Sequence, residues 1–343
     1  MSLLNRTVST VNRLLTPFDA GIVRPSEVER FRDVCVPLPD PLDEQALPPG
    51  AATYLRGDHP RLEELRARYR QALPADLASS RWTDEYKART IDLRFFRSQN
   101  SYVFSDLNWE FKYALTAYYT RVMDGLHLLD VLTEDGLYGC PTVTVEGRRR
   151  VSRDLLDSVL ELYFLERTFG LASRRDAGVL DIGAGYGRFA YRLASAFPDV
   201  RTICTDAVPE STFLCEYYLR QRGVDDRARV APFDELQTAL GAGRVDLAVN
   251  IHSFSECTLT AVTWWADLLQ RHDVRYLMIV PNAQDHGGTR LLTQEREGPR
   301  RDFQPMLESR GYRLVDRSPK YADPIVQKYG ISPTHHFLFE RRP

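Results

Sequence analysis

The chain has 343 residues, 43% of them hydrophobic and 27% charged, and a formal net charge of −2. Its length predicts about two domains at roughly 150 residues each, and its composition is that of an ordinary globular protein rather than a disordered or fibrous one. The near-neutral charge argues against a nucleic-acid partner, which calls for a clear basic excess, and no apolar run approaches the roughly 20 residues of a membrane helix.

The first fifteen residues, MSLLNRTVSTVNRLL, lack the continuous apolar core of a signal peptide, which predicts a cytoplasmic protein. Leu3, Leu4, Val8, Val11, Leu14 and Leu15 share one helical face, suited to packing on the protein's own body or on a second subunit. Arg6 and Arg13 are too few for a polybasic membrane anchor. Pro37, Pro39, Pro41, Pro48 and Pro49 predict an extended connector over residues 35–50, and a charged helical pattern follows over 61–73. From Trp82 to Met123 aromatic residues crowd together, among them Tyr86, Phe95, Phe96, Tyr102, Phe104, Trp109, Phe111, Tyr113, Tyr118 and Tyr119. Each reads first as helical core; together they also offer flat faces for stacking a sugar ring in a lid over a ligand. Residues 141–147 predict a short hairpin with Gly147 in its turn. A helix follows over 152–169, with Ser152 as N-cap, Asp154 in its first turn and Gly170 ending it.

Residues 179–189, VLDIGAGYGRF, carry the strongest signal in the chain. A buried strand reaches an acid, Asp181, and then a turn with Gly183, Ala184, Gly185 and Gly187 before a helix opens. Glycine permits positive φ and close approach of backbone to a ligand. A strand, Gly-rich turn and helix in this order suit a nucleoside cofactor, although the D-x-G-x-G-x-G spacing differs from the G-x-G-x-x-G of dinucleotide folds. Strands are expected over 178–183, 200–205, 228–233, 245–251 and 274–280, with helices between them, and runs 312–316 and 335–340 are expected to pair as closing antiparallel strands. The result is an α/β, doubly wound, seven-stranded Rossmann-like sheet over residues 151–343, preceded by a mainly helical segment over 1–150.

Ligands of such sheets bind outside the carboxyl ends of the strands. Asp206, at the second exit, is placed to accept the ribose hydroxyls of an adenosine. At the third exit Phe233 is a candidate for the adenine face and Asp234 for its exocyclic amine, although an Asp there is also an ordinary N-cap. The fourth exit reads Asn250-Ile251-His252-Ser253-Phe254-Ser255-Glu256; Asn250 is counted with the cofactor residues. If the chain turns helical after Ile251, His252 and Glu256 share a face. An alcohol acceptor must lose its proton as its oxygen attacks, which makes His252 the candidate base and Glu256 its orienting partner or a substrate ligand. Asp285 and His286, beyond the fifth exit, are a second proton-transfer or metal-binding candidate. No spacing compels a divalent metal. His335 and His336 lie in the last strand, where alternation turns one inward in a structural role. Five cysteines (Cys35, Cys140, Cys204, Cys215 and Cys257) include no C-x-x-C, so neither zinc nor a disulfide framework is indicated, and Cys204 reads as a small hydrophobe.

The D-x-G-x-G-x-G run resembles motif I of the class I S-adenosylmethionine-dependent methyltransferases. More narrowly, residues 94–340 look like the bacterial sugar O-methyltransferases, through VSRDLLDSVLELYFLER (151–167), VLDIGAGYGRFAY (179–191) and NIHSFSE (250–256). The resemblance implies S-adenosyl-L-methionine as cofactor, S-adenosyl-L-homocysteine as product, and Gly183, Gly185 and Gly187 about the methionine moiety. It places His252 and Glu256 toward a carbohydrate or glycosylated small-molecule acceptor. The chain departs from that family in having Asp181 where Glu is common, and in a segment after Asp206 one residue longer. The alternatives are a non-sugar acceptor such as a phenol, amine or peptide, and a cofactor-binding subunit without turnover.

Overall fold

The computed structural model describes residues 3–15, 17, 22, 36–37, 47–98, 102, 109–145 and 149–342. A small antiparallel sheet joins β1 (Val36–Pro37), β2 (Val143–Val145) and β3 (Arg149–Val151) in that order. The turn expected at Gly147 lies outside the described residues, as do most of the proline connector, Cys35, Phe104 and the side chain of Trp109.

The large sheet contains β4 (Gly178–Ile182), β5 (Arg201–Thr205), β6 (Ala228–Val230), β7 (Leu247–Ile251), β8 (Tyr276–Val280), β9 (Tyr312–Pro319) and β10 (His335–Arg341). Its order is β6-β5-β4-β7-β8-β10-β9. The first five strands pair in parallel, and β10 is antiparallel to both β8 and β9. This is the doubly wound, seven-stranded Rossmann-like sheet expected from the sequence, with its switch in strand order between β4 and β7. All five residues of β4 are buried, as a central strand covered on both faces requires. β6 is shorter than expected because Pro232 cannot donate to the ladder.

Two apolar layers cover the sheet. On one side Leu155, Val159, Leu162 and Phe164 of the helix Arg153–Phe169 pack with Phe189, Leu193, Val179, Leu247 and Met278. That helix begins where expected: the Ser152 hydroxyl accepts from the Leu155 amide at 3.0 Å, and Gly170 ends it at φ 74°. On the other side Leu62, Leu65 and Tyr69 of the helix Pro60–Ala72 share one cluster with Leu180, Ile182, Phe213 and Leu214. The same helix is tied to the helix Pro209–Gln221, which follows β5, by ion pairs from Arg61 to Glu216 (2.5 Å) and from Arg66 to Glu210 (2.9 Å), and Ser79, Arg81 and Trp82 bond Glu256 beyond β7. Residues 47–98 therefore cover the carboxyl edge of the sheet, where a ligand would lie. Of the closing-strand histidines, His336 is the inward one, buried against Phe164. Cys204 is fully buried in β5.

Candidate active site

A cavity of about 510 Å³ opens at the carboxyl ends of β4, β5, β7 and β8. Asp181, Gly183, Ala184, Gly185 and Asp206 line one part of it, and His252, Glu256 and Asn282 another. The glycine turn is pinned by its neighbour strand: the amides of Gly183 and Ala184 donate to the Thr205 carbonyl at 2.9 and 3.1 Å. Gly183 stands at φ 71°, and a Cβ there would lie 2.6 Å from Ser253 Cβ, so only glycine fits without displacing that loop. Gly187 serves otherwise. It does not line the cavity, and its missing side chain admits Cys215 of the next helix, whose Sγ would be 2.9 Å from an added Cβ.

The two carboxylates facing this turn sit in unfavourable surroundings. Asp181 is buried and its Oδ2 has no hydrogen-bond partner. Burial pushes its pKa up to about 7, against the opposing pull of the Arg188 guanidinium. Asp206 accepts from the Gly185 amide at 3.0 Å and the Val208 amide at 2.9 Å, yet burial still raises it to about 7. A buried carboxylate oxygen left unpaired is costly, and a ligand offering donors or positive charge would relieve it.

At the fourth exit the chain does not turn helical as expected. His252 stands at φ 70°, ψ −35°, a rare conformation for a residue with a Cβ, and a short 3₁₀ turn, Ser253–Glu256, follows. His252 Nδ1 lies 2.7 Å from Asn282 Oδ1. A carbonyl oxygen can only accept, so Nδ1 carries the proton and Nε2 keeps its lone pair. Burial lowers the His252 pKa to about 4, reinforced by the nearby Arg153 and Arg188 guanidinium groups. The imidazole is therefore neutral across the physiological range.

Glu256 lines the cavity without orienting His252. Its Oε1 accepts from Arg81 and its Oε2 from Trp82 Nε1, each at 2.8 Å, so the carboxylate fastens the segment before residue 83 over the site. Asn250 is fully buried: its amide nitrogen donates to the Ile182 carbonyl at 2.9 Å and to Ser253 Oγ at 2.5 Å, and its oxygen accepts from the Phe254 amide. With those bonds made it braces the β4 and β7 exits beneath the cavity instead of facing a cofactor. Phe233 and Asp234 are also absent from the lining. Phe233 stacks on Trp264 at 5.3 Å, and Asp234 accepts from Nε and Nη2 of Arg68, each at 2.8 Å. Asp285 pairs at the surface with Arg300 at 3.0 Å, and His286, on the same turn, does not reach the lining either. Asp285, His286 and Glu256 thus do not converge, and no cluster of three potential metal ligands occurs among the described residues.

Asn282, Arg81, Arg153 and Arg188 belong to the site and were not singled out from sequence. Asn282 had a legible signal, lying two residues beyond the end of β8. Arg81 had none, because it comes from a distant segment.

No protein-family model matches the chain, and no curated protein matches it. Among solved structures it is similar to a magnesium protoporphyrin IX methyltransferase from Synechocystis with bound S-adenosylmethionine, at 12% identity over 55% of this chain and 83% of that one, TM-score 0.38. It is similar to the mitomycin 7-O-methyltransferase at 20% identity over 55% of this chain and 57% of that one, TM-score 0.37. It is also similar to an S-adenosylmethionine-dependent methyltransferase from Clostridium acetobutylicum, at 12% identity over 54% of this chain and 91% of that one, TM-score 0.37.

Proposed function

We propose that this protein is an S-adenosylmethionine-dependent O-methyltransferase whose acceptor is a sugar hydroxyl on a glycan precursor or a glycosylated small molecule. One observation carries the reading: a single cavity joins the glycine turn and its two strained carboxylates to a neutral histidine whose tautomer leaves a lone pair on Nε2.

The residues fit the cofactor. Asp181, with its unpartnered buried oxygen, suits the positively charged methionine end, and the side-chain-free surface at Gly183 allows backbone contact. The carboxylate of Asp206 has lone pairs left for the ribose hydroxyls, and Val208 and Trp265 supply apolar wall in place of Phe233. Bound S-adenosylmethionine would supply an electrophilic methyl group with a neutral thioether as leaving group. His252 Nε2 takes the acceptor's hydroxyl proton, while Asn282 holds the ring in the tautomer that can do so. Trp82 and Tyr102, 5.4 Å apart between ring centroids, form an aromatic wall of the same cavity, where the CH face of a sugar can stack. Hydrogen bonds from Arg81 and Trp82 to Glu256 hold that wall in place.

The sugar assignment rests on the NIHSFSE resemblance and on this aromatic wall. It is tested by offering mono- and oligosaccharides, phenols and amines with labelled methyl donor. Label on carbohydrate oxygen supports it, and label only on a phenol or amine refutes it. Calorimetry with S-adenosyl-L-homocysteine tests the cofactor reading separately, because absence of binding removes it whatever the acceptor.

A further inference from the structure

Beside the cavity lies a larger groove of about 1450 Å³, and Ser79, Trp82, Ala207 and Val208 are walls of both. The chain as a whole is slightly acidic, yet seven basic side chains line this groove against three acidic ones. All three acids are already engaged. Glu210 pairs with Arg66 at 2.9 Å and Lys87 at 3.4 Å, Asp84 pairs with Lys87 at 2.8 Å, and Asp92 accepts from the backbone amides of Arg94 and Phe95 at 2.9 and 3.1 Å. Arg70, Arg89 and Arg94 are exposed along the groove and make no ion pair or side-chain hydrogen bond among the described residues.

Three guanidinium groups without a paired carboxylate, one of them (Arg94) lying 5.8 Å over the Phe95 ring, focus positive potential in one concavity. A guanidinium presents a planar fork of donors that matches phosphate oxygens two at a time, and its charge does not titrate. The groove is also far larger than a monosaccharide needs. We propose that the methyl acceptor carries a phosphate or diphosphate, bound in this groove by Arg70, Arg89 and Arg94, with its sugar reaching past Trp82 toward His252. The proposal builds on the O-methyltransferase reading and narrows its acceptor to a phosphorylated or nucleotide-linked sugar.

Calorimetry on the full chain decides it, with inorganic pyrophosphate and inorganic phosphate as probes in the presence of S-adenosyl-L-homocysteine. Wild-type protein is expected to bind pyrophosphate more tightly than phosphate. The triple variant Arg70→Gln, Arg89→Gln, Arg94→Gln should weaken pyrophosphate at least about tenfold, or about 1.4 kcal/mol. Its S-adenosyl-L-homocysteine affinity should be unchanged, because none of the three side chains lines the smaller cavity. Its melting temperature should fall by no more than about a degree or two, because among the described residues the three make no ion pair and only Arg94 touches a ring, that of Phe95. Equal pyrophosphate affinity in wild type and variant overturns the proposal, as does a wild type that binds neither probe. Tight binding of single-stranded RNA that is lost in the variant and not displaced by pyrophosphate overturns it in favour of a polymer. Loss of S-adenosyl-L-homocysteine binding alone strikes the methyltransferase reading, while the pyrophosphate titration still decides the anion site.

Discussion

Asp181→Asn should stabilise the free protein while weakening its hold on the cofactor. The carboxyl is fully buried with one oxygen unpartnered, and its pKa of about 7 replaces an ordinary value of 3.8. A carboxyl raised on folding binds more protons in the native than in the unfolded state between those two values. Its contribution is therefore complete below the unfolded pKa and is lost as pH rises through the folded one. At about 1.36 kcal/mol per pKa unit, the raised pKa costs about 4 kcal/mol at pH 8, where the folded carboxyl is charged, and about 1.7 kcal/mol at pH 5, where it is held protonated while the unfolded chain ionises. Asparagine keeps the shape without the charge and removes that cost. With an unfolding entropy of roughly 2.1 cal/mol/K per residue, about 1.4 °C of melting temperature corresponds to 1 kcal/mol in a chain this long. The variant should then melt about 6 °C above wild type at pH 8 and only about 2 °C above it at pH 5. S-adenosylmethionine brings positive charge that would pay back the wild-type cost, so its affinity should fall at least about tenfold in the variant. Differential scanning calorimetry at both pH values, with titration calorimetry beside it, measures all three quantities. A gap that is equal at the two pH values, or a variant less stable than wild type at pH 8, would refute the account of Asp181 as a strained ligand-waiting carboxylate.

His252→Ala should lower kcat at least about 100-fold, the low end of what a positioned base contributes, with S-adenosyl-L-homocysteine affinity held within about threefold; a smaller loss in kcat removes His252 as the base. Because the His252 pKa is lowered to about 4, kcat/KM for the acceptor at saturating cofactor should stay level through pH 6.5 and fall only near pH 4–5. Cofactor affinity, measured by titration across the same range, should instead weaken below pH 7 as Asp181 and Asp206 take up protons. An acceptor profile that breaks near 6.5 would mean that the ring is solvated in the working enzyme. Gly183→Ala and Gly187→Ala separate two uses of glycine. The first should lose cofactor binding at least about tenfold, because its Cβ meets the Ser253 loop at the cavity wall. The second should cost about 1–3 kcal/mol of stability at φ 88° with little change in cofactor affinity, as read by melting temperature and calorimetry together.

The sheet was legible in the sequence because parallel central strands are continuous apolar runs and their connections are helices with ordinary caps. Each expected strand lies within a few residues of its place, and the Ser152 cap and Gly170 stop fall where side-chain chemistry puts them. The cavity lining was legible wherever it depends on an element's own end: Asp181, Gly183, Gly185 and Asp206 follow directly from strand exits, whereas Gly187 lies off the lining. It failed wherever a side chain's fate depends on a remote partner. Asp234 looked like an adenine ligand until Arg68, 166 residues earlier, claimed both of its oxygens. Glu256 looked like the partner of His252 because they are four residues apart, a spacing that matters only on a helix. The φ of 70° at His252 breaks that geometry, and the carboxylate goes to Arg81 and Trp82.

That same break is what equips the site. A helical continuation from Ile251 would have paired the imidazole with a carboxylate, raising its pKa and inviting it to be charged before any acceptor arrives. The left-handed residue turns the ring instead to Asn282, a neutral acceptor that fixes the tautomer without adding charge. Burial beside Arg153 and Arg188 then keeps the ring unprotonated. Holding a non-glycine residue in such a conformation costs on the order of 1–3 kcal/mol, and the surrounding bonds keep it there: the His252 amide donates to the Val280 carbonyl at 2.7 Å, and the Ser255 amide closes the turn onto the His252 carbonyl at 3.0 Å. Strain at one φ angle and an unpaired oxygen on Asp181 are thus costs carried by the same cavity wall; on the proposed function, one would preserve a lone pair for the acceptor and the other would meet a cationic ligand. A His252→Gly variant relieves the first cost alone. It should match or exceed wild-type stability while losing turnover as fully as the alanine variant, whose methyl group keeps the backbone strained. If glycine at 252 is instead less stable than alanine, the backbone there is unstrained in solution and the fixed-tautomer geometry built on it falls.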